Sequence, residues 1–143
     1  MTTTLIDFYV LNSTGGGGKD SAVCRLAHKA FAGGHKIYIR TSDNAAAQRL
    51  DALLWTFNQG SFIPHAVHPA DPNEEFAVLI GNDEPPEEFD DVLIQLAPEP
   101  FAAFERFQRV LEVVGSEDAD KQQGRERFRF YRERGCTPTT HTL

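Results

Sequence analysis

At 143 residues the chain has the length of one domain, and with 41% apolar residues, eleven Phe and one Trp it can bury a proper core. A net charge of −7 weighs against backbone-led binding to DNA or RNA, which needs a basic surface. Nothing approaches the roughly eighteen consecutive apolar residues of a membrane span. Cys24 and Cys136 are far apart and form no CxxC, and MTTTLIDF lacks the basic start and apolar run of a signal peptide. The expectation is a reduced, cytoplasmic protein with no membrane partner.

Leu5–Leu11 is short, apolar and aromatic and predicts a buried strand. Asn12–Gly18 is a glycine-rich loop, after which Asp20 or Ser21 caps a helix running to about Ala32. Lys36–Arg40 predicts a second strand, and Ser42 or Asp43 caps a second helix to about Phe57. Gln59–Asp71, interrupted by prolines, reads as irregular. Phe76–Ile80 and Val92–Leu96 are further strands, separated by an acidic loop. Pro100 then opens a helix whose apolar stripe is Ala103, Phe104, Phe107, Val110, Leu111 and Val114, ended by Gly115. A last helix covers Lys121–Arg134, and the residues after Gly135 read as a tail. Strands alternating with helices through short links predict an α/β fold: one three-layer domain over residues 1–143, its mostly parallel central sheet flanked by helices.

The last helix carries the sharpest signal. Lys121–Arg134 holds six of the fourteen Lys and Arg residues against Glu126 and Glu133, which leaves it at +4 and the rest of the chain at −11. At 100° per residue, Lys121, Arg125, Phe128, Arg129 and Arg132 share a side. A cationic face with a ring set into it suits a short peptide that is both acidic and hydrophobic, since guanidinium groups bind carboxylates bidentately and stack on rings. The same helix also reads as solvated surface with Phe128 and Phe130 turned to the core.

Other constellations carry less. The loop Gly15–Lys19 has the strand–glycine–lysine–helix context of a phosphate loop, but Ser13 stands where its first glycine belongs, and Asp20 where a Mg²⁺-binding hydroxyl belongs. A small nucleotide-binding enzyme or sensor built on this loop is the alternative reading. His65 and His68, or Cys24 and His28, lack the further ligands of a zinc site, and no nucleophile has a recognisable base and orienter. No metal, cofactor or catalytic set is expected. The segment Leu50–His65 gathers Trp55, Phe57, Phe62 and Ile63 beside Pro64, which suits either a core plug or a binding hot spot.

Taken together, several ordered motifs resemble the chi subunit of bacterial DNA polymerase III, a component of the clamp-loader assembly. They are FYVL in the first strand, G-x-K-I-Y-I at Gly34–Ile39, A-x-R-L-D-x-L-L-W at Ala47–Trp55, S-F-I-P-H at Ser61–His65 and R-E-R-F-R-F-Y-R at Arg125–Arg132. The resemblance runs to about Thr140. It implies a non-catalytic bridging protein with a fold like that of nucleotide-binding domains but without their nucleotide site. One face binds the psi subunit, or a helicase-like protein in its place, and here it falls on Phe62 with Trp55 and Pro64 nearby. The other binds the acidic, Phe-ended C-terminal tail of single-stranded-DNA-binding protein, and falls on Val114, Lys121, Arg125, Phe128, Arg129 and Thr140. DNA would be reached only indirectly. The chain departs from the family pattern at Phe128, where a Tyr is expected, and in the run Gly15–Gly18. Asp71–Asp91 matches poorly. Gly124, replacing a more helix-favouring residue, is expected to loosen the start of the basic helix.

Overall fold

The structure is a computed structural model and describes residues 4–11, 18–57, 63–70, 74–82 and 84–142. Its strands are β1 (Leu5–Val10), β2 (Ile37–Arg40), β3 (His65–Val67), β4 (Val78–Gly81), β5 (Val92–Gln95), β6 (Arg109–Val114) and β7 (Thr139–Thr142). The helices are α1 (Gly18–Ala32), α2 (Asn44–Phe57) and α3 (Asp118–Glu133), with a 3₁₀ turn at Phe104–Arg106. The strands form one sheet in the order β3-β4-β2-β5-β6-β1-β7, and every pairing is parallel.

Two cores fill its faces. Val23, Leu26, Ala27, Leu50 and Leu54 of α1 and α2 pack on Ile37, Ile39, Ile80, Ile94, Leu111 and Val113. On the opposite face Tyr131 of α3 joins Ile6, Phe8, Leu79, Leu93, Phe104, Phe107 and Val110. Helices on both sides of a parallel sheet make the expected three layers. The inner strands are buried on both faces, which is why they read as continuous apolar runs rather than alternations.

The two expected helices in the first half are present. Asp43 caps α2, its Oδ1 accepting the Ala46 N–H at 2.8 Å. α1 begins at Gly18, ahead of Asp20 and Ser21, and the Asp20 carboxylate takes the Arg49 Nε–H at 2.7 Å instead of capping.

Three stretches correct the sequence reading. The helix expected from Pro100 to Gly115 is a 3₁₀ turn followed by strand β6. Phe104, Phe107, Val110, Leu111 and Val114 are buried as expected of the stripe. In β6, however, Val113 is buried too, because the strand lies between β5 and β1 with a core on each face. An apolar run of this length fits helix and buried strand equally well, and the β-branched valines decide for strand. The segment expected to be irregular contains β3, a three-residue edge strand fitted between Pro64 and Pro69. The expected tail contains β7, which pairs with β1 at the other edge. There His141 Nε2 lies 3.0 Å from Asp7 Oδ1, and its ring stacks on Tyr9 at 4.8 Å.

Candidate binding site

β1 and β6 are neighbours whose following helices leave to opposite faces, α1 to one and α3 to the other. Beyond their carboxyl ends a crevice opens between Leu11, Gly18, Lys19 and Asp20 on one side and Gly115, Glu117 and Asp120 on the other. Crevices at this topological position bind nucleotides in many α/β proteins. Here the chain lines it with its own paired charges. Lys19 Nζ lies 3.1 Å from Asp120, whose carboxylate also accepts the Gly115 N–H. Asp20 is held by Arg49. The lysine that a phosphate would need is already neutralised by an aspartate, which weighs against the nucleotide reading. Of the loop itself, residues 15–17 lie outside the described residues.

The other candidates for chemistry fare no better. His65 is buried and bridges the backbone oxygens of Ile63, at 2.7 Å, and Asp51, at 3.1 Å. Among the described residues no three His, Cys, Asp or Glu side chains are placed to share a metal ion. Burial, with Asp20 adding to it, pushes the Cys24 thiol up to about 12, which disfavours a thiolate there.

The face drawn from the basic helix does form a site. α3 turns Gly124, Arg127 and Tyr131 to the sheet and leaves Arg125, Arg129 and Arg132 exposed. What holds it there is buried and polar. Glu112 of β6 accepts Arg127 Nε–H at 2.7 Å and the Tyr131 hydroxyl at 2.6 Å. Arg127 also donates to the Pro98 carbonyl at 3.0 Å. Burial pushes the Glu112 carboxyl above its ordinary value, while Arg127 and the Tyr131 hydroxyl pull it back. Burial and the neighbouring Glu112 raise the Tyr131 phenol far up. Sequence reasoning missed this cluster. Its signal was a single Glu inside an apolar strand and an Arg on the opposite side of the helix from the cationic face.

Next to this anchor, α3 and the sheet enclose a groove of about 230 Å³ lined by Phe8, Val10, Val114, Lys121, Gly124, Arg125, Phe128 and Thr140. The strand register explains the floor: Val10 lies beside Val114, and Phe8 beside Thr140. The Phe128 ring closes one wall, 5.3 Å from the Phe8 ring. Lys121 and Arg125 stand at the rim. Among the described residues neither makes an ion pair, and Arg125 donates only to Gln122, at 3.2 Å. The volume is below the roughly 300–1,000 Å³ of small-molecule pockets; it suits one large side chain.

Five of the six residues expected at the basic site, Val114, Lys121, Arg125, Phe128 and Thr140, are therefore brought together. Arg129 is exposed one turn further along and does not line the groove. Phe8, Val10 and Gly124, none of them expected at this site, complete it. The alternation of β1, which puts Phe8 and Val10 on one face, was the available clue. α3 runs unbroken through Gly124. A Cβ there would lie 2.9 Å from Val114 Cγ2, so the missing side chain lets helix and strand approach.

At the second expected site Trp55 is 58% exposed and tilts over His65, with ring centroids 4.9 Å apart. It is not a core plug. Pro64 is half-buried, and Phe62 lies outside the described residues.

Fold and site define a parallel α/β domain whose crevice at the strand ends is bridged by its own ion pair, and whose apolar groove lies under a cationic helix. Residues 3–139 match the family model described as "DNA polymerase III chi subunit, HolC". The chain is 39% identical over 140 residues to the DNA polymerase III subunit chi of Pseudomonas aeruginosa, covering 98% of this chain and 97% of that protein. It is 33% identical over 125 residues to the protein of the same name from Escherichia coli, covering 86% and 84%. The chain belongs to the DNA polymerase III chi subunit family, a family of replication accessory subunits.

Proposed function

We propose that this chain is a non-catalytic bridge in the replication machinery of the cytoplasm. It holds the acidic, Phe-ended C-terminal tail of single-stranded-DNA-binding protein on one face. The psi subunit, or a helicase-like protein in its place, occupies the other, and DNA is reached only through the tail's owner. The observation that carries the reading is the groove under α3, where Lys121 and Arg125, free of ion pairs among the described residues, line it together with Phe8, Val10 and Val114. Charge at the rim and apolar surface below are what an acidic segment ending in an aromatic residue requires. The free terminal carboxylate and the last ring would then be used together.

A fluorescence titration with a labelled acidic peptide ending in Phe tests this. Binding is expected to weaken as salt rises, because the rim charges are exposed and screened. Removing the last Phe is expected to abolish most of the binding even at low salt. A protein that binds bare single-stranded DNA and ignores the peptide would instead be a nucleic-acid binder.

For the second face, support comes from the exposed Trp55, whose ring tilts over His65, the residue after Pro64. A large aromatic left in water beside a stiffened segment is a typical hot-spot arrangement. Phe62→Ala is expected to release psi or its substitute by at least about 2 kcal/mol. The tail peptide should bind that variant as before. Loss of the folded state in Phe62→Ala, read by circular dichroism, would make Phe62 a core residue and remove it from the interface.

A further inference from the structure

Resting on the peptide reading above, we infer that Glu112, Arg127 and Tyr131 are positioning residues for the groove. They fix the rotation of α3 about its own axis, and so decide which of its cations serves the bound peptide. Apolar contacts alone specify that rotation poorly. The large apolar side chains of α3 are Phe128, Phe130 and Tyr131. At 100° per residue Arg127 falls inside the arc that Phe130 and Phe128 bound, with Tyr131 next to it. Both phenylalanines are half-buried, so a roll that sinks one ring lifts the other and changes the total apolar burial little. The polar cluster is directional where the rings are not. Arg127 Nε–H goes to Glu112 Oε1 at 2.7 Å, and the Tyr131 hydroxyl to Oε2 of the same carboxylate at 2.6 Å. Arg127 Nη1–H goes to the Pro98 carbonyl at 3.0 Å. These bonds leave neighbouring turns of one helix and end on two separate elements, so no roll keeps them all. Glu112 lies beside Phe8 in the sheet, and the Tyr131 ring meets the Phe8 ring edge-on at 6.0 Å. The cluster thus stands directly behind a wall of the groove. With it in place, Phe128 and Arg125 line the groove and Arg129 does not. A small roll would move both from the rim and blur that difference.

The test titrates an acidic, Phe-ended peptide against wild type and Glu112→Leu/Arg127→Met/Tyr131→Phe, each with and without Arg125→Ala or Arg129→Ala. Apolar replacement of a buried pair is often neutral or stabilising, so the triple variant is expected to melt close to wild type. It should nevertheless bind the peptide about tenfold more weakly, as a competent rotation populated about a tenth of the time requires. In wild type, Arg125→Ala is expected to lose roughly thirtyfold and Arg129→Ala a few-fold. In the apolar background the two losses should come within about twofold of each other, a coupling that a purely stabilising role would not produce. Wild-type affinity in the triple variant would overturn the positioning role. So would a weakened variant that keeps the full difference between Arg125 and Arg129. If the triple variant does not fold, Arg127→Lys carries the test. Its ammonium keeps a charge beside Glu112 but lacks the rigid fork, so α3 is held at more than one rotation. The difference between Arg125 and Arg129 should then shrink by about threefold or more, and an undiminished difference would overturn the role. Failure of the wild type to bind the peptide would overturn the peptide reading itself, and this inference with it.

Discussion

Arg127→Ala is expected to be the most destabilising single substitution in α3, although Arg127 belongs to the most charged segment of the chain. Arg127 is 1% exposed and Glu112 is fully buried. Removing the cation leaves a carboxylate in the core held by the Tyr131 hydroxyl and the Arg40 charge alone among the described residues. Breaking a buried pair from one side typically costs about 3–5 kcal/mol. For a chain of this size that corresponds to a fall in Tm on the order of 10 °C. The effect should depend on pH in a defined direction. In the variant, burial acts on Glu112 without the Arg127 charge to oppose it, so the folded-state carboxyl rises further above its unfolded value. A group with a raised folded value contributes fully to stability below the unfolded value, and that contribution is lost as pH rises through the folded one. The stability gap between wild type and variant should thus narrow as pH falls from 7 toward 4.5. Replacing Glu112 and Arg127 together by apolar residues of similar volume should cost much less than either single change. A thermal melt of Arg127→Ala within about 2 °C of wild type at pH 7 would show that the pair contributes little.

The same helix shows what a sequence can and cannot disclose. Lys121, Arg125 and Phe128 are legible because helical spacing alone puts them on one side, and the structure lines one groove with them. Arg129 satisfies that spacing but not the groove, since angle around the axis does not fix distance along it. Arg127 is not legible as a core residue, because its burial depends on a glutamate fifteen positions earlier, on a strand whose valines can also be read at helical period. Thr140 was placed by family resemblance alone. β7 is polar and exposed at the sheet edge, so its residues carry no apolar pattern to reveal a strand. Gly124 looks like a defect when only helix propensity is weighed, about 1 kcal/mol worse than Ala. Its purpose becomes visible only with Val114 facing it, and that contact belongs to tertiary packing.

Arg125→Ala is expected to weaken binding of the acidic, Phe-ended peptide by roughly thirtyfold or more. Arg125 lines the groove at mid-helix, one turn after Lys121 and beside Gly124 and Phe128. In the free protein it is exposed and hydrogen-bonded only to Gln122 among the described residues. Its charge is then solvated and adds little to stability, so the variant should melt close to wild type. A bound peptide changes that setting. A ring seated over Val10 and Val114 brings the terminal carboxylate to the rim, and covers the pair from water on the groove side. Losing one partner of such a covered charge pair costs about 2–5 kcal/mol, part of it the penalty of a carboxylate left without its cation. Arg125→Lys keeps the charge but not the planar fork, and should fall between wild type and alanine. Arg129→Ala is the control. It removes an equal charge from outside the groove, so its effect should be a few-fold at most and should vanish at high salt. Titrations of the three variants at two salt concentrations separate the cases. If Arg125→Ala and Arg129→Ala weaken binding equally, and both losses disappear in salt, the helix attracts the peptide only by its general field and Arg125 is not its anchor.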